Sequence, residues 1–310
     1  MKTMREAFGF SLIELAKLRD DFVVLDPDVA GGTGVSIFRD KYPERYIQCG
    51  IAEQNMVSLA AGLSTTGLIP IVTGYAIFLS MRAIEQIRNS IAYPKFNVKI
   101  VASHLGLDVG PDGATHQAIE DLAIFRAIPN IKIVSPADPY ELKSALKVIL
   151  EIDGPIYLRT GRSPIVTIFD EKVEFKLGKG QIIKEGNDAT IIAVGVMVHR
   201  ALEAANILAK ENIFVRVVNM STIKPIDKEL IINSAIKTKH IVTAEDHNIF
   251  GGLFGAVSEV LSINYPTYIE PVAIYDQFGE SGDPKELSEK YNLDSLSIVK
   301  AVKKTLKMGV

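Results

Sequence analysis

The sequence predicts an α/β protein of two doubly wound domains, and three observations carry that prediction. The apolar pattern switches repeatedly between short β-rich runs and helical stretches. Most of the strand-like runs are continuously apolar, which suits a mostly parallel sheet covered on both faces. The chain has 310 residues, 47% hydrophobic and 23% charged, enough for two cores of ordinary composition.

In order along the first half, strands are expected at Phe22–Leu25, Tyr46–Cys49, Ile69–Val72, Val98–Ala102, Ile131–Val134 and Ile156–Leu158. They alternate with helices at Arg5–Leu18, Ala52–Thr65, Phe78–Ala92, Ile119–Ala127 and Pro139–Leu150. Alternation of this kind implies crossover connections. The pattern weakens from Asp153 to Gly180, where Gly154-Pro155, Ser163-Pro164 and a charged D-E-K-V-E-F-K run interrupt it. A connection at 166–179 therefore separates a domain at 1–165 from a smaller one at 180–310. In the second, strands are expected near Thr190–Val194, Phe214–Val218, His240–Ala244 and Tyr268–Val272, with helices near Val196–Lys210, Asp227–Ile236, Gly252–Ile263 and Asp294–Leu306.

Charge and cysteine content narrow the function. Lys plus Arg number 34 and Asp plus Glu 37, a formal charge of −3 without a basic run, which argues against nucleic acid or an anionic membrane surface as partner. A single cysteine, Cys49, excludes an intrachain disulfide and any multi-thiolate metal site. No apolar run approaches the ~20 residues of a membrane span, and the first residues lack a signal-peptide core. A reducing, cytoplasmic setting is the expectation.

Parallel sheets bind ligands beyond the carboxyl ends of their strands, and four such loops carry polar residues. Asp26-Pro27-Asp28-Val29-Ala30-Gly31-Gly32-Thr33-Gly34 is either a plain glycine-rich turn or a place where backbone amides approach an anion. Gly50 to Met56, G-I-A-E-Q-N-M, puts Glu53 in the first turn of an apolar helix; it either complements the helix dipole or, if buried, exchanges a proton with a ligand. Ser103 to Gln117 gathers His104, Asp108, Asp112 and His116 in one long glycine-containing loop, suited to hydrogen bonding and proton transfer with a polyhydroxylated substrate or, less regularly spaced, to a metal. Leu158-Arg159-Thr160-Gly161-Arg162 offers two arginines to a phosphate or carboxylate, or to surface ion pairs. In the second domain Glu245-Asp246-His247-Asn248 reads as a network supporting an interface.

These loops, in this order, resemble transketolases. G-I-A-E-Q-N-M-V-S-L-A-A-G and D-G-A-T-H-Q-A-I-E-D-L-A-I-F-R-A-I-P-N-I-K-I-V-S-P-A-D are similar to that family's pyrimidine-binding domain, and V-N-M-S-T-I-K-P-I-D and T-A-E-D-H-N-I-F-G-G to its carboxy-terminal domain. The family's earlier G-D-G…N signature has no counterpart here. The resemblance therefore implies the carboxy-terminal-half subunit of a split transketolase, whose separate amino-terminal subunit holds the diphosphate of thiamine diphosphate through Mg²⁺ or Ca²⁺. It also implies self-association, with a two-plus-two heterotetramer, and sugar phosphates as substrates.

Residue by residue, the resemblance gives Glu53 the catalytic role of sharing a proton with the aminopyrimidine ring, and packs Tyr75 and Phe78 against that ring. His104, Asp112 and His116 match positions that contact substrate hydroxyls or phosphate, with His104 and His116 in the catalytic set. Arg5 and Arg162 match the arginines that grip the sugar phosphate, ahead of Arg159. Gly32 stands where many members have a phosphate-binding Ser, so Thr33 or backbone amides are expected to substitute. No metal ligand is expected on this chain. The beta subunit of a thiamine-dependent 2-oxo-acid dehydrogenase, deoxyxylulose-phosphate synthase and a scaffolding subunit are the rival readings.

Overall fold

In the computed structural model, which describes residues 3–308, the chain forms two α/β units, each built on its own sheet. The first half supplies β1 (Phe22–Asp26), β2 (Tyr46–Gln48), β3 (Ile69–Tyr75), β4 (Lys99–Ser103), β5 (Lys132–Val134) and β6 (Ile156–Thr160). The second supplies β7 (Gln181–Lys184), β8 (Ala189–Ala193), β9 (Val215–Asn219), β10 (Thr222–Lys224), β11 (Ile241–Asn248) and β12 (Ile269–Ile274). One sheet runs β10-β5-β6-β4-β3-β1-β2 and the other β12-β11-β8-β9-β7. Every pairing is parallel except β10 with β5 and β7 with β9. The mostly parallel, two-domain α/β class follows from strands such as β4, β6, β8 and β9, in which every residue is buried.

Three features depart from the sequence expectation. The expected helix at 78–92 is broken into Ala76–Met81, Ile84–Gln86 and a π-helical turn, Ile87–Ala92. Its buried stripe, Leu79, Ala83, Ile87 and Ile91, repeats every fourth residue. A 3.6-residue helix would rotate such a stripe off the core, and a wider turn keeps it in place. The four-residue edge strand β7 and the helix Pro284–Lys290 were too short to stand out.

The third departure couples the domains. β10 leaves the second half and pairs antiparallel with β5, so the first sheet is completed by the other domain. Beside it the Ser135 amide donates to Ser221 O at 2.7 Å, and Asn219 donates to the buried Glu141 carboxylate at 2.8 Å. Lys224 Nζ caps the carbonyls of Arg126 (2.9 Å) and Ile128 (2.6 Å) at the end of the helix Asp121–Ala127. One apolar cluster accordingly runs through both halves, joining Ile133 and Tyr157 to Val218, Met220 and Ile223. No helix among the described residues is long and apolar enough to cross a membrane.

Candidate active site

Register aligns the carboxyl edge of the first sheet. Tyr75 is opposite Ser103 and Ser103 is opposite Thr160, so the residues that follow, His104 and Gly161-Arg162, leave the sheet side by side. Thr3 forms an antiparallel bridge with Pro164 and caps the helix Met4–Ala16 together with Glu6, which sets Arg5 beside the same edge. Asp26, at the end of β1, is fully buried. Its carboxylate accepts from the Val29 amide and the Tyr46 hydroxyl, each at 3.0 Å, and anchors the glycine-rich loop; burial raises its pKa.

Glu53 opens the helix Glu53–Ser64 and is 3% exposed. A buried carboxylate needs a compensating partner, and Arg82 supplies it: its Nη1 donates to Glu53 Oε2 at 2.7 Å while the arginine itself stays 45% exposed. The guanidinium carbon also lies 4.5 Å from the centre of the Phe78 ring. A flat, N–H-donating cation thus fills the slot between an acid and an aromatic face. Arg82 was missed in the sequence; the signal was its position four residues after Phe78, one helical turn on.

The rings on this edge form one cluster. Tyr75 lies 3.9 Å from His104 and 6.1 Å from Phe78 between ring centres, and His116 meets Phe78 edge-on at 5.4 Å. His104 is 2% exposed and adopts φ +64, a left-handed conformation that a non-glycine residue rarely takes and that often marks function. Its Nδ1 pairs with Ser103 Oγ at 2.9 Å. Burial, reinforced by the Arg162 charge, lowers its pKa to about 4, so it is a neutral hydrogen-bonding group at neutral pH. His116 is half-buried, with Nδ1 3.0 Å from Thr115 Oγ1.

Arg162 donates to Val109 O at 2.6 Å and keeps its other nitrogen 3.9 Å from the exposed Asp112 carboxylate. Arg5 reaches Gly32 O at 3.5 Å. Thr33 is not brought into this group: it is 2% exposed, and its hydroxyl turns back to Val29 O at 3.3 Å and Ala30 O at 3.4 Å within its own helical turn. Arg159 is also resolved. It is 3% exposed and grips Asp121 through two bonds of 2.8 and 3.0 Å, which makes it a buried structural cation. Asp108 receives the Ser163 amide at 3.1 Å and ties the two loops together.

Glu245, Asp246 and His247 lie within β11, not after it, and are buried at the domain junction. Asp246 accepts from the Leu107 amide at 3.0 Å, holding the histidine loop against the second domain. Glu245 accepts from the Leu253 and Phe254 amides at the next helix's start, and burial raises its pKa to about 7.

An acid backed by an aromatic face, with histidines and arginines beyond the carboxyl edge of a parallel sheet, puts the candidate site where α/β proteins bind their ligands. Residues 1–166 match the pyrimidine-binding domain of transketolase and residues 178–298 the transketolase C-terminal domain; the chain belongs to the transketolase family. It is 46% identical to a transketolase C-terminal section of Methanocaldococcus jannaschii over 309 residues, covering 99% of this chain and 97% of that one. It is 41% identical to a 6-deoxy-6-sulfo-D-fructose transketolase subunit of Clostridium sp. strain MSTE9, covering 96% and 92% of the two chains. A split-gene transketolase solved as an inactive beta4 tetramer superposes with a TM-score of 0.94 at 47% identity, over 100% of both chains. The family implies thiamine diphosphate, and the residues present fit its aminopyrimidine, because the slot between Glu53 and Phe78 already accepts a planar nitrogen donor in the Arg82 guanidinium.

Proposed function

We propose that this chain is the subunit of a two-chain transketolase that supplies the pyrimidine side of the active site. Assembled with a separate amino-terminal subunit, which holds the diphosphate through Mg²⁺ or Ca²⁺, it transfers a two-carbon ketol unit from a ketose phosphate to an aldose phosphate in the cytoplasm. Two copies of each chain form the assembly. The observation that carries this reading is the buried Glu53 carboxylate facing a flat cationic donor on Phe78.

Thiamine diphosphate, when bound, supplies the carbon nucleophile and electron sink that carbon–carbon cleavage requires. Glu53 holds a proton at a ring nitrogen of the heterocycle, in a setting where the exchange meets little competition from water. Phe78 and Tyr75 stack against the ring and orient it. His104, kept neutral by burial, and His116 hydrogen-bond the substrate's oxygens, while Asp112 reads a hydroxyl. Arg5 and Arg162 grip the phosphate through guanidinium forks.

The test is reconstitution. The chain mixed with its amino-terminal partner, thiamine diphosphate and Mg²⁺ is expected to convert xylulose 5-phosphate and ribose 5-phosphate to the ketol-transfer products, and the chain alone is expected to be inactive. Dependence on a 2-oxo acid and a lipoyl acceptor instead would overturn the reading.

A further inference from the structure

The glycine-rich loop leaves a question of fit. An ideal Cβ built on Gly32 would fall on the Tyr75 phenol oxygen and lie 3.0 and 3.1 Å from ring carbons Cε1 and Cζ. Any side chain at position 32 and the Tyr75 hydroxyl therefore compete for the same space. Thr33, the neighbouring hydroxyl, is committed to backbone carbonyls inside the loop.

The phenol oxygen stands in charged company. Asp112, Arg162, Arg5 and Asp26 all act on it electrostatically, and burial holds its pKa above the ordinary tyrosine value, so it remains a protonated donor across the working range. It makes no hydrogen bond to any described residue. The Tyr75 ring is fixed by His104 and Phe78, so the position of its oxygen is set by the packing.

We propose that Tyr75 is a specificity-determining residue of the substrate site: its hydroxyl occupies the space of a side chain at position 32 and donates a hydrogen bond to the anionic end of the sugar, beside Arg5 and Arg162. Gly32 is the small residue that makes room for it. This inference rests on the proposed sugar-phosphate reading and adds to the ring-stacking role a second role for the same side chain. A phenol on a stacked ring is a rigid donor with little rotamer entropy to lose. It therefore selects for the distance between the anionic group and the reacting carbon more strictly than a serine hydroxyl, which turns freely about its own Cα–Cβ bond.

The experiment uses the full chain and ribose 5-phosphate as probe, with binding followed by ³¹P NMR titration. KM is then measured in the complex with the amino-terminal subunit. Tyr75→Phe removes one oxygen that bonds none of the described residues, so the fold is expected to be unchanged by circular dichroism. Its affinity for ribose 5-phosphate is expected to fall about tenfold, the scale of a hydrogen bond to a charged group. KM is expected to rise by a similar factor, while thiamine diphosphate affinity of the complex, read by calorimetry, stays within twofold. Gly32→Ser is expected to weaken the probe through collision with the phenol. Gly32→Ser with Tyr75→Phe is expected to recover part of the loss, because the collision with the phenol oxygen is gone and only the 3.0 and 3.1 Å approaches to the ring edge remain. An unchanged KM for ribose 5-phosphate in the Tyr75→Phe complex would overturn the inference alone. Failure of the wild-type complex with the amino-terminal subunit to use ribose 5-phosphate at all would overturn it together with the substrate reading.

Discussion

Glu53 and Arg82 show how a single charge pair defines a ligand slot. Among the described residues the carboxylate has one hydrogen-bond donor, at 2.7 Å, and that donor is itself almost half exposed. In the proposed site a bound heterocycle would take over that role by offering its own nitrogen. Glu53→Gln preserves shape and removes the group that can give and take a proton. It is expected to lower the turnover of the reconstituted enzyme by a factor of about 10²–10⁴, with an unchanged circular dichroism spectrum, and turnover within threefold of wild type would exclude the role.

His247 permits a sharper test at the same scale. The fold uses both ring nitrogens of the neutral form: Nδ1 donates to Asn248 O at 2.6 Å and Nε2 accepts from the Ala123 amide at 3.4 Å. Burial lowers its pKa to about 4, against about 6.5 in the unfolded chain. The unfolded state therefore binds more protons between those values. The stability His247 contributes is complete above pH ~6.5 and is lost as pH falls toward 4, by up to about 3 kcal/mol at 1.36 kcal/mol per pH unit. His247→Gln lacks this loss, so its deficit relative to wild type in urea unfolding is expected to shrink from pH 7.5 to pH 4.5. Parallel stability curves would contradict it.

Elements are fixed to one another through buried polar groups. Tyr157 and Arg159 of β6 both donate to Asp121, at 2.7 Å and at 2.8 and 3.0 Å, and so fix the helix Asp121–Ala127 against the sheet. Asp121 is fully buried and Arg159 is 3% exposed. Removing one member strands the other without a partner, at a cost of about 3–5 kcal/mol. Asp121→Ala is expected to lower the unfolding free energy by that amount, whereas a change below 1 kcal/mol would show that the pair is not what holds this joint. Lys224 acts on the other end of the same helix, and Lys224→Met, which abandons two carbonyls, is expected to cost ~1–3 kcal/mol by the same measurement.

For the whole molecule, the proposed site is half of a cleft, and its surroundings are apolar. Ile51 (76% exposed) and Leu59 (40%) lie just before and on the helix that Glu53 opens, and Met81 (46%) is adjacent to Arg82. Exposed apolar groups concentrated around a functional residue suit a surface that another chain covers. Leu59→Glu is expected to leave the chain folded but block its assembly with the amino-terminal subunit, seen as loss of the complex in sedimentation velocity. Normal assembly would place the interface elsewhere.

Much of this architecture was legible in the sequence, because parallel strands buried on both faces leave continuous apolar runs and their ends punctuate the chain with glycine and acid residues. Glu53, the histidine loop and the arginines stood out for that reason, each being polar where an apolar segment ends. Arg159 and Arg162 looked alike at three residues' separation; what distinguishes them is Asp121, 38 residues from Arg159, and no local pattern encodes that distance. Thr33 departs from its expected phosphate contact for a similar reason. A hydroxyl's partner depends on which way its backbone turns, and only folding placed the phenol where a side chain on Gly32 would stand. The sequence alone determined the fold class, the loops that carry chemistry and the family they resemble, since these follow from periodicity and local spacing. Tertiary structure decided which charges are partners, how β10 joins the domains and which hydroxyls turn back to the backbone, because burial and pairing are properties of segments that meet only in three dimensions.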